Sequence, residues 1–301
     1  MSQIAFLGAV EIGLVYSLVA LGVFLSFRVL DFPDLTVDGS FPMGAAVTAT
    51  LIVNAFDPWL STLAGAIAGA GAGLVTAFLN VRFRILHLLA SILTMIALFS
   101  INLRIMGRPN VAIINQETVL TPFAGLGLSQ FVLKPIFVGV VVVLAALLLS
   151  RFLNSEFGLA MRATGANPRM ARAQGISTNW HIYVGMAVSN GLVGLAGALF
   201  AQTNGFADVT VGVGTIVVGL AAVILGETLF RTRVILWMIL ACIVGSILYR
   251  LAIQLALSAD FIEASDLNLV TAVLVALALI LPGFGNPISR MLKRPSRETA
   301  L

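Results

Sequence analysis

An all-α bundle of membrane-crossing helices is the fold this sequence predicts, and three observations predict it. The 301 residues are 59% hydrophobic and only 10% charged, with a mean hydropathy of +1.06, whereas a soluble domain carries about 25% charged residues. Apolar runs of about 20 residues, the length that crosses a bilayer core, recur along the whole chain. Basic residues gather between alternate runs, which is the asymmetry that orients polytopic proteins.

Each element follows in turn. Residues 4–27 form the first span, carrying Glu11 and Tyr16 and ended by Arg28. Residues 30–41, LDFPDLTVDGSF, interrupt the apolar pattern with Asp31, Asp34 and Asp38, and a helix resumes over 42–54. Unwound backbone at membrane depth is tolerated only where it is buried in protein or lines a cavity. Residues 59–80 are a span with Gly65, Gly69 and Gly73 on one face, a pattern that permits close helix packing. Residues 87–106 follow, with Ser91, Thr94 and Arg104. After a polar connection over 107–130, spans are expected over 131–150, 180–201, 211–230, 234–257 and 267–281. The chain reads as one transmembrane domain, 1–301, with about nine crossings and a broken helix near 30–54.

Threading the basic residues puts the N-terminus outside and the C-terminus inside. Arg28, Arg82, Arg84, Arg151, Arg162, Arg169, Arg172, Arg231, Arg233 and the basic tail 290–301 then share the cytoplasmic side. The chain is expected in a bacterial cytoplasmic membrane, and its basic pI reflects this arrangement and no nucleic-acid partner. The N-terminus lacks the basic start of a cleavable signal peptide.

The longest polar interruption, 156–178, carries a complete short-helix signal. Asn167 is a good N-cap, Pro168 fits the first helical position, and Gly175 fits the left-handed closing position. A helix of two turns is too short to stand alone in water, so it needs a surface to sit on. Its basic face, Arg169 and Arg172, suits a partner protein or lipid headgroups, and an ordinary loop held by positive charge has the same composition.

Catalytic signals are missing from the sequence. The two lysines, Lys134 and Lys293, each follow Leu, so the chain has no P-loop for ATP. A single cysteine, Cys242, excludes an internal disulfide and any Cys-based metal site. His87 and His181 fall near helix ends, where structural roles suffice. Neither a metal nor a cofactor is expected on this chain. Among intramembrane charges, Glu227 and Arg250 lie close enough to span ends to snorkel, whereas Asp38 sits within the break. Glu11, Asp34, Thr36, Asp38, Ser40, Phe41, Ser91 and Thr94 are therefore the candidates to line a translocation path.

The pattern Gly158-x-x-x-Arg162-Ala163-x-Gly165-x-Asn167, then Ala171 and Gly175-Ile176, resembles the cytoplasmic loop of ABC-importer permeases of the branched-chain amino acid, ribose and nucleoside group. Residues 189–199, SNGLVGLAGAL, and 212–226 resemble the two blocks that follow it, so the likeness covers 156–226 in order and spacing. LDFPDLTVDGSF departs from the sugar and branched-chain wording. It looks closer to a less characterised subgroup paired with aromatic amino acid-binding lipoproteins. Glu227 stands where many relatives have a second Gly. The resemblance implies an importer of a small polar solute, an amino acid above all. Its parts would be two permease copies in lipid, an ATPase dimer holding ATP and Mg, and an extracytoplasmic binding protein. It further implies that Gly158, Arg162, Ala163, Gly165, Asn167, Pro168, Arg169, Met170, Ala171, Arg172 and Gly175 couple the chain to the ATPase. The residues alone also admit an ion-coupled secondary transporter or channel.

Overall fold

The computed structural model describes residues 3–126, 129–230, 232, 234–257 and three positions of the last predicted span, 272, 273 and 276. The rest of the span expected over 267–281 and the tail 290–301 lie outside the described residues. Ten α-helices occur among them: α1 Gln3–Val23, α2 Val37–Val53, α3 Pro58–Phe83, α4 His87–Met106, α5 Gln130–Asn154, α6 Glu156–Ala166, α7 Pro168–Ala173, α8 Thr178–Asn204, α9 Thr215–Leu229 and α10 Ile235–Leu257. Six have the length and apolarity to cross a membrane, α1 extending through a π-helical turn to Val29; α2 and α9 are shorter. This is a helical polytopic membrane protein.

Sequence and structure differ in several elements, among them α6, a helix where only a polar stretch was expected. The helix expected to resume at Pro42 begins at Val37 and carries Pro42 inside it; proline removes a single donor near the start of a helix, which buried neighbours can tolerate. The span expected over 211–230 is helical only from Thr215, after a turn through 209–214. A two-stranded antiparallel pair precedes that turn, β1 Asn110–Ala112 against β2 Phe206–Asp208, with Val111 opposite Ala207.

Glycine sets the centre of the bundle. A Cβ on Gly44 would collide with the backbone of Gly194, one on Gly73 with the Met186 carbonyl, and one on Gly197 with the Phe41 carbonyl. These contacts bring α2, α3 and α8 to backbone separation, as the spacing of Gly65, Gly69 and Gly73 predicts. In contrast, α3, α4 and α5 leave Leu63, Ile67, Ile96, Val140 and Leu144 exposed, a surface suited to lipid or a second subunit.

Candidate functional site

Two polar regions stand out against the apolar bundle. The first is the segment between α1 and α2. Its backbone runs from the π-turn Phe24–Val29 through non-helical residues 30–36. Asp34 is fully buried; its Oδ1 accepts from the Thr36 amide at 2.9 Å and its Oδ2 from Asn190 Nδ2 at 2.7 Å. The Ser40 hydroxyl lies 2.6 Å from Asn190 Oδ1, and the hydroxyls of Thr36 and Thr76 are 2.7 Å apart. Asn190 is near the middle of α8, whose 27 residues rise about 1.5 Å each. The network therefore sits about halfway along this membrane-crossing helix.

Asp38 is half-buried one turn further on. Its carboxylate accepts from the amides of Gly214 and Ile216, at 3.1 and 2.8 Å. It thus lies in the first turn of its own helix and caps the start of α9. Two helix N-termini, each carrying positive partial charge, converge on one carboxylate. Gly212 makes this approach possible, since a Cβ there would strike the Asp38 carbonyl and the Pro42 ring. Both α2 and α9 are short because each starts inside the bundle, reached by irregular chain from opposite ends.

The other candidates are dispersed. Phe41 packs between Tyr16 and Phe200, with ring centroids 5.5 Å from each. Glu11 lies near Lys134 and Thr203. Ser91 and Thr94 are buried and donate to carbonyls of their own helix, Leu88 and Ala90. Arg250 stands over the Tyr16 ring, 4.0 Å from its centroid. It is engaged by a cation–π contact where snorkelling was expected. Glu227 likewise does not simply reach for water: both its oxygens accept from Arg28, one from Nε at 2.7 Å. His87 stacks on Phe32 and His181 on Phe157, in keeping with structural roles.

The second polar region is α6–α7. Ser155 caps α6, accepting from the Gly158 amide at 3.3 Å. Asn167 caps α7, accepting from the amides of Arg169 and Met170, both at 3.1 Å, and Pro168 is the first helical residue. Gly175 has φ +82°, with its amide bonded to the Arg172 carbonyl and that of Ile176 to Ala171. That pair of bonds is a Schellman closure. Arg169 and Met170 are exposed, and Arg172 donates through Nε to Thr178 at 2.8 Å. Two residues that the resemblance gives to coupling face inward. Ala171 is fully buried within the chain. Gly165 lies inside α6, where a Cβ would collide with the Val29 carbonyl and the Leu30 backbone. A cavity of about 830 Å³ separates α7 from the α3–α4 turn, lined by Asp31, Arg84, His87 and Arg172 among others.

Sequence reasoning missed Asn190, Asn102 and Gln202. Asn102 donates to the Gly39 carbonyl at 3.2 Å, and Gln202 joins Thr62 to the Val119 amide. Their common signal is an amide side chain inside an otherwise apolar span.

A multi-pass helical bundle with buried polar joints and a capped helix pair at one end is, in class, a polytopic helical membrane protein. Residues 6–282 match the model of the branched-chain amino acid transport system / permease component family, and the chain belongs to that family. It is 39% identical over 262 residues to the tyrosine transport system permease protein of Clostridioides difficile, covering 87% of this chain and 86% of that one. It is 26% identical over 220 residues to the nucleoside ABC transporter permease protein NupC of Lactococcus lactis, covering 70% and 67%. A chain of PsaBC from Streptococcus pneumoniae in complex with Fab shares the fold, with a TM-score of 0.54 at 15% identity over 97% of this chain and 94% of that one. The protein is thus the permease subunit of an ABC importer, a role that implies an ATPase and a substrate-binding protein as partners.

Proposed function

We propose that the chain, as a homodimer in the bacterial cytoplasmic membrane, passes an amino acid from an extracytoplasmic binding protein to the cytoplasm. Tyrosine or a related aromatic amino acid is the first candidate, supported by the 39% identity to a permease named for tyrosine transport. In this reading α7 is the coupling helix. The observation that carries it is a six-residue helix closed by its own caps at both ends and hung between α6 and α8. A helix this short holds its shape only with such caps and a seat. The α7 end faces the cytoplasm, a placement supported by the basic residues there, with the N-terminus outside. Met170 and Arg169 meet the ATPase dimer, which supplies ATP and Mg; Gly158, Arg162, Ala163 and Gly165 hold α6 beneath them. The chain itself performs no chemistry, and no cofactor is assigned to it.

Asp34, Thr36, Asp38, Ser40 and Phe41 shape the path at mid-membrane, with Glu11, Ser91 and Thr94 in supporting places. The test is reconstitution of the permease with its ATPase in vesicles, with the binding protein added outside. ATP-dependent accumulation of labelled tyrosine is expected. Accumulation that persists without the ATPase would instead identify a secondary transporter.

A further inference from the structure

The helix α9 is held at both ends by one short stretch of chain. At its start, Asp38 takes the amides of Gly214 and Ile216. Near its end, Glu227 receives two hydrogen bonds from Arg28 in the π-turn. Arg28 belongs to the irregular joint between α1 and α2, and Asp38 to the first turn of α2 that follows it. A π-turn inside an otherwise α-helical span is a local distortion that recurs at functional sites. The joint also touches α6, because Gly165 lies against the backbone of Val29 and Leu30 with no room for a methyl group. Elsewhere the two helices keep different company: α9 packs on α1, α2 and α10, and α6 on α5, α7, α8 and the π-turn. Arg28 and Gly165 face a common cavity of about 530 Å³, with Arg162 beside them. There is space for this end of the joint to move.

From these contacts we infer that the Arg28–Glu227 pair is a positioning element of the transport cycle. It ties the movement of α6–α7 to α9, whose other end sits at the polar centre of the bundle. The inference rests on the coupling role proposed for α7. Displacement of α6 moves residues 29 and 30 through the Gly165 contact. Arg28 moves with them and draws the Glu227 end of α9. Asp38 fixes the opposite end of α9, so the helix tilts about its capped start. The two carboxylates thus have separate duties, Asp38 as pivot and Glu227 as handle. Arg28 is about half exposed, at 53% against 22% for Glu227, so the pair adds little to static stability and can break and re-form during a cycle.

The experiment uses the assembled importer in vesicles. Wild type is measured first: absence of ATP-dependent uptake there would sink the importer reading itself, separately from this inference. Arg28→Glu and Glu227→Arg are then compared with the double exchange. Each single variant is expected to lower uptake and binding-protein-stimulated hydrolysis by about tenfold, within the usual range of coupling between sites, with basal hydrolysis inside about twofold of wild type. The double exchange, which restores the attraction, is expected to recover most of the loss. Single variants that transport like wild type, or a double exchange no better than the singles, overturn the inference. Should the reversed charges prevent assembly, Arg28→Cys with Glu227→Cys in a Cys242→Ser background replaces them. The unbridged double variant is expected to lose uptake as the singles do, and bridging its thiols with a short reducible cross-linker, which restores the tie, to recover it until reductant is added. Wild-type uptake before bridging, or no recovery after it, equally overturns the claim.

Discussion

The α6–α7 region and the α1–α2 joint are both polar interruptions of an apolar chain, but they are held in opposite ways. The α7 caps come from within nine residues of one another, Asn167 at one end and Gly175 at the other. The joint is held from far away: Asp34 by Asn190, Asp38 by the start of α9, Arg28 by Glu227. Local hydrogen bonds form a rigid module that a partner can grip. Long-range ones form a joint whose geometry changes whenever the distant helix moves. One chain thus places a stiff handle beside an adjustable centre.

The comparison breaks most visibly at Asn190. Asn190→Ala takes away the amide that donates to the buried Asp34 side chain, and leaving a buried polar group without its partner costs up to about 3 kcal/mol. A large drop in the thermal midpoint of detergent-solubilised protein is expected, and a midpoint near wild type would show that Asp34 is held by other means. Gly165→Val comes next. It should leave the membrane-inserted protein intact but push α6 off Val29 and Leu30, with overpacking of about 1–3 kcal/mol. Loss of binding-protein-stimulated hydrolysis alongside retained insertion is the expected pattern; unchanged stimulation would detach α6 from the joint.

At Asp38, an Asn keeps one acceptor oxygen and loses the other, so one of the two α9 amides goes without its partner. The expected effect is about 1–3 kcal/mol, read as reduced uptake with the complex still assembled. Normal uptake would make Asp38 a passive cap. In the local region the matching change is Asn167→Ala, worth about 1 kcal/mol as a lost N-cap. Reduced recovery of the ATPase with purified Asn167→Ala, restored by Asn167→Asp, is the expected result, and equal recovery for all three would deny α7 its seat.

The smallest effect lies outside the membrane. Burial alone would raise the Asp208 carboxyl, but hydrogen bonds from Thr210 and Asn110 outweigh it and hold it below the ordinary carboxylate range. A depressed native value adds stability above the ordinary carboxylate value, lost as pH falls through the lowered one. Amide exchange in β1–β2 should therefore quicken only in acid, and Asp208→Asn should remove that dependence.

The division between local and distant bonding also explains what the sequence made legible. Spans, breaks and the α7 caps depend on neighbours in the chain, so composition and spacing revealed them. The glycine face of α3 was readable for the same reason, although its partners Gly194 and Met186 were not. Glu227 and Arg250 were misread because distance to a span end says nothing about a partner on another helix. Asp38 was readable as a polar group in a break, whereas its bond to a helix 176 residues away leaves no mark in the sequence.

That distance has a consequence for how the chain is made. A helix normally brings its own capping residue, and α9 does not. Its first amides, partly buried at the turn into α9, are satisfied by a carboxylate synthesised long before. As α9 enters the membrane, α2 must already be standing in place to receive it. The N-terminal quarter of the chain therefore acts as a template on which the later helices are completed. A delay or a lesion early in synthesis would surface as a defect in a helix near the other end.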